Sequence, residues 1–244
     1  MTEFTEANRK YFDKLATTYQ NEFADAMKML SEQTLANRLW ISDQWTDTVD
    51  HQGIRMLEYA CGPGYISMTL APFLTQIIGV DVSENMVGEF NRNANLLGLT
   101  DKAISHKADL LAEDVPVEFT VPPYMDLDVL TVSMALHHFE HPDRALQQLG
   151  ARLKKGGVCF IIDLFADSDH GHGHDHGHDK HQHDFNDAAH TVKTHGFSQE
   201  SMRELFQGAG FDSIEYKVLA QPLVFVKNGK SISKTAFMAR AQRV

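Results

Sequence analysis

Three stretches of this chain hold residues whose types and spacing could do chemistry. The first is Glu58-Tyr59-Ala60-Cys61-Gly62-Pro63-Gly64, a carboxylate within a strand-like run followed by paired glycines. Such a loop lets a ligand approach the backbone closely beside a helix N-terminus. Gly62-x-Gly64-x-x-Ser67 comes near the dinucleotide pattern, so a pyrophosphate ligand has to be weighed. Glu58 weighs against it, because a carboxylate there repels phosphate and attracts an ammonium or sulfonium. A cationic nucleoside is the favoured ligand class. The second stretch is the pair His137-His138, joined further on by His190 and His195. Imidazole is the natural proton acceptor near neutral pH, which makes these four the candidate catalytic residues. Each also has a plain alternative as a packed or surface histidine. The third is residues 167–187, where His170, His172, His174, His176, His178, His181 and His183 stand among six aspartates and one lysine. Repeated imidazoles invite zinc, nickel or copper, but a loose alternation without cysteine does not close a ligand set. No dedicated metal centre is expected, only adventitious metal binding at those histidines. With Phe185 as its one large apolar residue, the tract cannot bury a core and reads as a mobile insertion.

The elements that must position these residues follow from hydrophobic periodicity. Residues 3–50 read as helices, with Phe12, Ala16, Tyr19, Phe23, Met27 and Leu30 on one stripe and a second helix over Ser31–Trp45. From residue 53 short strands alternate with helices. Strands are expected at 54–59, 76–81, 103–108, 127–133 and 158–164, and helices at 65–71, 84–97, 143–153 and 198–208. Two last strands, 211–226 and 235–239, are joined by Lys227-Asn228-Gly229-Lys230, which predicts an antiparallel pair closing a mostly parallel sheet.

Composition bounds the partners. The chain has 244 residues and a formal net charge of −11, nearly half of it carried by the histidine tract. That balance argues against nucleic acid and anionic membranes, which are bound by basic faces. No run approaches the ~20 apolar residues of a membrane span, and the N-terminus has no signal-peptide pattern. Two cysteines, Cys61 and Cys159, make no disulfide framework, so a cytoplasmic (or else nuclear) location is expected.

Taken together, these motifs resemble the class I S-adenosylmethionine-dependent methyltransferases, fungal members included. The resemblance covers roughly residues 54–240 and rests on Glu58, Ala60, Gly62 and Gly64 in the family's acid-x-Gly-x-Gly-x-Gly loop. Alanine replaces the first glycine, a mild departure if the backbone there is not at positive φ. The resemblance implies that Asp81 accepts from the ribose hydroxyls, with Val82 beside it, and that Met86 packs on adenine. It implies that Asp109 takes the adenine amino group, with the Leu110 N–H facing a ring nitrogen, and that Ser133 lies beside the sulfonium with His137 and His138. Tyr19 is the candidate to reach the site from an N-terminal cap. The implied fold is α/β, a seven-stranded Rossmann-like sheet of order 3-2-1-4-5-7-6 with the last strand antiparallel. One domain, 1–244, is expected: a helical cap at 1–50, a cofactor-binding core at 51–165, the insertion at 166–190 and a C-terminal part at 191–244. The implied activity is methyl transfer from S-adenosylmethionine to a small-molecule N, O or S acceptor. Two cysteines disfavour arsenite, the charge disfavours nucleic acid, and no Asn-Pro-Pro-Tyr-type segment follows strand four. The rival readings are a scaffold that keeps this fold and works through a protein partner, and a metal-responsive protein working through the tract.

Overall fold

The computed structural model describes residues 1–46, 53–166, 189–227 and 230–244. The whole histidine tract lies outside them, as do residues 47–52 and 228–229, so the expectations for residues 167–188 stay untested. Five parallel strands form the body of the sheet: β1 (Arg55–Tyr59), β2 (Gln76–Asp81), β3 (Ala103–Lys107), β4 (Leu127–Ser133) and β5 (Leu153–Leu164). After them come β6 (Phe211–Val218), a two-stranded ribbon of β7 (Leu223–Lys227) and β8 (Lys230–Lys234), and β9 (Ala236–Arg243). The sheet order is β3-β2-β1-β4-β5-β9-β6, with β9 antiparallel to both neighbours. This is the expected topology, with β9 in the place of the seventh strand.

The strands read as near-continuous apolar runs because both faces are covered. Met56, Ile77, Val129, Phe160 and Met238 point into one core, while their neighbours Leu57, Ile78, Leu130, Ile161 and Phe237 point into the other. The first core is covered by α2 (Ala24–Ala36), α4 (Tyr65–Leu70) and α5 (Glu84–Leu96), through Leu30, Ile66, Leu70 and Phe90. The second is covered by α6 (Pro142–Gly150) and α7 (Gln199–Gly208), through Leu146, Leu149, Met202 and Phe206. Two further helices are α1 (Glu3–Glu22) and the short α3 (Arg38–Ile41).

Three expectations change. The helix predicted from Ser31 begins at Ala24, straight after a break at Phe23, so the cap is a long helix followed by a bent pair. The helix expected over 143–153 is shorter, and residues from Leu153 onward belong to β5. The helix stops at Gly150, where a Cβ would come 2.6 Å from the Phe211 ring, and Gly156 lies inside β5 at φ +77°. The long strand expected over 211–226 is broken before Pro222, which has no N–H for a ladder. Lys227 therefore pairs with Lys230 across β7 and β8, so this segment does not join two strands of the main sheet. This ribbon is not idle: Leu223 and Phe225 enter the first core beside Met27 and Leu30, and the Phe23 and Phe225 rings meet at 5.8 Å.

Candidate functional site

The carboxyl ends of β1, β2 and β4 converge on the glycine loop, the crevice where open α/β sheets place ligands. Ala60 (φ +52°), Gly62 (φ +49°) and Gly64 (φ +83°) all take left-handed backbone. Ala60 thus sits at positive φ, contrary to the condition that made its replacement of glycine mild. A side-chain-bearing residue accepts strain of order 1–2 kcal/mol there. At Gly64 two demands combine, since a Cβ would also lie 2.4 Å from the Phe90 ring.

This turn brings two carboxylates to the loop. Asp81, 7 % exposed, accepts from the Gly62 N–H (2.9 Å) through one oxygen and from the Ser83 N–H (2.8 Å) through the other. Glu58, 2 % exposed, accepts from the Ser67 N–H (3.0 Å) and the Ser67 hydroxyl (2.5 Å), both through Oε2. Burial pushes the Glu58 carboxyl up to about 7 and the Asp81 carboxyl up to about 6, in spite of those hydrogen bonds. The cause is the loss of water around a charge with no cation opposite it.

Both acids open on a cavity of about 700 Å³. Its wall includes ten residues singled out from the sequence: Tyr19, Glu58, Ala60, Gly62, Asp81, Val82, Met86, Asp109, Ser133 and His138. Gly64 and Leu110 stand behind the wall, Gly64 against Phe90 and Leu110 in the core at 1 % exposure. Asp109 accepts from the Tyr59 hydroxyl (3.3 Å) and the Leu111 N–H (3.1 Å), which folds the loop after β3 back on β1.

The four candidate histidines separate. His137 is buried; its Nδ1 lies 2.6 Å from Asp163 Oδ1 and its backbone N–H donates to Asp163 Oδ2 (3.1 Å). It ties the turn after β4 to the end of β5 and does not line the cavity. His138 does line it, with Nδ1 2.7 Å from the Thr191 carbonyl and its ring 4.0 Å from that of His137. Burial, helped by the His137 ring, pushes the His138 imidazole down to about 3. His190 is exposed and meets the Tyr11 ring at 5.7 Å, and His195 is exposed; neither lines the cavity.

The roof is α1. Thr5, Asn8, Phe12 and Tyr19 line the cavity, separated by three, four and seven residues, which is one face of a helix. Asn8 was missed, although it stands one turn before Phe12 and is 7 % exposed. Asp13, on the flank of α1, latches the roof to the start of α5. It accepts from the Ser83 hydroxyl (2.6 Å) and the Asn85 N–H (3.2 Å), and Ser83 in turn donates its N–H to Asp81. Gln20 reaches Asn93 (3.2 Å), whose amide donates to the Pro63 carbonyl of the glycine loop (2.9 Å). Asp13, Asn93 and Asp163 carried no sequence signal, because each acts through a partner at least 26 residues away.

Against known proteins, a family profile described as a methyltransferase domain matches residues 29–216. The chain belongs to the class I S-adenosylmethionine-dependent methyltransferase family. Its sequence is 29% identical over 208 residues to an uncharacterized methyltransferase of Schizosaccharomyces pombe, covering 84% of this chain and 68% of that protein. It is 26% identical over 115 residues to the uncharacterized methyltransferase YcgJ of Bacillus subtilis, covering 47% of this chain and 42% of YcgJ. The alignment thus takes in less than half of YcgJ's own length. The crystal structure of YcgJ superposes with a TM-score of 0.61 at 16% identity, over 87% of this chain and 98% of that one. The magnesium protoporphyrin IX methyltransferase of Synechocystis, crystallised with S-adenosylmethionine, superposes at 0.62 with 14% identity, over 99% and 98% of the two chains. At those identities the likeness is one of fold. Among the described residues no helix is long and apolar enough to cross a membrane.

Proposed function

We propose that this methyltransferase-family chain binds S-adenosylmethionine in the 700 Å³ cavity and methylates a small-molecule acceptor there by in-line displacement. The observation that carries this reading is the pair Glu58 and Asp81, two buried carboxylates facing one cavity and, among the described residues, with no cation paired to either. A ligand that brings a positive charge and a ribose diol suits that pair: charge for the acids, and two hydroxyl donors for Asp81. The cavity size is in the usual range for small-molecule sites. When bound, the cofactor supplies a methyl group already activated by its sulfonium.

What the chain has to add is alignment and dryness, and aligned geometry alone contributes ~7–11 kcal/mol to such reactions. Asp81 would hold the ribose, Met86 the face of the adenine and Asp109 its amino edge. Tyr19 would close over the charged end. Burial, together with the neighbouring Tyr65, Asp81 and Glu58 charges, pushes its phenol up, so it stays neutral there. The small-molecule preference is supported by the roof, since α1 lies across the crevice where a nucleic-acid duplex would need open access. The acidic lining, with Glu113, Asp114 and Glu140 added to Asp81 and Asp109, also opposes a polyanion. On this reading residues 1–244 work as one domain, with α1–α3 as the cap.

Calorimetry with S-adenosylmethionine and S-adenosylhomocysteine tests the cofactor; no heat at millimolar ligand would remove it. Labelled cofactor added to a metabolite extract, read by mass spectrometry, tests the acceptor size. Label appearing only in macromolecules would overturn the small-molecule part.

A further inference from the structure

Of the residues that line the cavity, Asn8 in the α1 roof is the one whose side chain holds a buried polar atom with no partner among the described residues, its amide oxygen Oδ1. The side chain is more than nine-tenths buried. Its nitrogen is settled, since Nδ2 donates to the Phe4 carbonyl one turn back at 3.0 Å. A carbonyl only accepts, so the nitrogen must be the atom at Phe4 and the oxygen the atom left over. Asparagine is a poor residue for such a place. Inside a helix it competes for backbone hydrogen bonds, and an unpaired buried acceptor adds the cost of its lost water. Leucine has nearly the same size and would pack on the roof without either cost. A buried acceptor kept there calls for a donor.

The position of Asn8 around α1 narrows the source of that donor. Asp13 and Gln20 lie on the flank tied to Ser83, Asn85 and Asn93, beside the acid that would hold the ribose. Asn8 stands roughly 140° from Asp13 and 120° from Gln20 around the helix, but only about 40° from Phe4 and from Phe12. Those two rings meet Lys193 (5.9 Å) and His138 (5.2 Å), in the segments that follow β5 and β4. Asn8 therefore leans away from α5 and the ribose acid. On the reading above, the cofactor's ribose and amino hydrogens already have acceptors in Asp81 and Asp109.

We propose that Asn8 determines acceptor specificity: its Oδ1 takes a hydrogen bond from an N–H or O–H group of the methyl acceptor, a polar handle that seats the acceptor under the roof. This rests on the methyl-transfer reading above and deepens it. The amide moves no proton; it positions. A molecule of the same shape without that hydrogen leaves Oδ1 unpaired, and a site built for a hydrogen bond rejects it.

The test uses the full chain, labelled S-adenosylmethionine and the low-molecular-weight fraction of a cell extract. Label transfer is followed against extract dilution for the wild-type chain and for Asn8→Leu, which keeps the size of the side chain and removes its polar atoms. The variant should melt no lower than wild type, because an unpaired acceptor has gone. It should bind S-adenosylhomocysteine within about twofold of wild type and need roughly 10-fold more extract for half-maximal rate, with a smaller change at saturation. Unchanged half-saturation overturns the proposal. So does an equal loss of S-adenosylhomocysteine affinity, which would assign the donor to the cofactor. In wild-type chain ¹³C-labelled at asparagine and saturated with S-adenosylhomocysteine, the same extract fraction should shift the Asn8 side-chain carbonyl resonance. A resonance that stays in place overturns the proposal even where the variant does not fold. If S-adenosylhomocysteine does not bind, or no label moves, the methyl-transfer reading falls and this inference with it. Label transfer that ignores Asn8→Leu removes only this inference.

Discussion

Around the glycine loop two buried acids, Glu58 and Asp81, face the cavity, whereas the turn after β4 brings it the partly buried His138 imidazole. Burial acts on all three by the same physics, disfavouring the charged form, and the consequences for protons are opposite. The acids are raised to about 7 and 6, above their unfolded values, so the folded chain keeps protons that the unfolded chain has released. Their contribution to stability is present below about pH 4 and is lost as pH rises through 6 to 7. His138 is lowered to about 3, so the folded chain refuses a proton that the unfolded chain takes. Its contribution is present above about pH 6.5 and is lost as pH falls towards 3. The loop is thus strained by alkali until a cation arrives, and the turn is strained by acid. Two parts of one cavity wall differ here by the sign of one linkage.

The comparison can be broken in several places. The most severe is Gly64→Ala, which adds a Cβ against Phe90 at a left-handed position. It is expected to cost about 2–4 kcal/mol in urea unfolding, from backbone strain and overpacking together. A loss below about 1 kcal/mol would mean that the loop is softer than its geometry indicates. Asp81→Asn should weaken S-adenosylmethionine roughly 100-fold by calorimetry, since hydrogen bonds to an ionised acceptor are among the stronger ones. The same variant should melt higher than wild type at pH 8 without ligand, because a buried charge has gone. Unchanged affinity would take Asp81 out of the site. Between pH 5 and 8, S-adenosylmethionine should bind roughly tenfold more tightly as the two acids ionise. Glu58→Gln should flatten that curve, and a curve falling with pH would reverse the sign assigned to these acids. His138→Phe should abolish the acid-side loss and raise stability at pH 5 relative to pH 8, which melting curves at the two pH values would register as a gap widened in favour of pH 5 by about 2–4 °C for each kcal/mol. Smallest is Ala60→Gly, expected to stabilise by about 1 kcal/mol or less, because relief of left-handed strain is partly offset by a looser unfolded chain.

Legibility followed sequence distance. Glu58, Ala60, Gly62 and Gly64 sit in seven consecutive residues, Asp81 and Asp109 stand at or just past strand ends that hydrophobic runs expose, and Met86 opens the helix after β2. All but Gly64 then line one cavity. The histidines were read less well. Two of the four turn out exposed and one is committed to Asp163, whose place on β5 carries no hint of His137. The C-terminal strands were misjudged for a related reason: an apolar run such as 211–226 reads as one strand whether it stays in the sheet or leaves it at Pro222 to form a ribbon.

From its residues alone the chain determined the parallel sheet, the glycine loop and the acids around it. Strand periodicity, left-handed turns and the affinity of carboxylates for cations are local properties that neighbours in sequence settle. Tertiary structure decided that Ala60 takes a left-handed backbone, that α1 roofs the cavity through Asp13, and that His138 rather than His137 faces it. Which nitrogen of an imidazole holds the proton depends on what stands opposite. Here that is the Thr191 carbonyl, 53 residues away along the chain and 2.7 Å away in space.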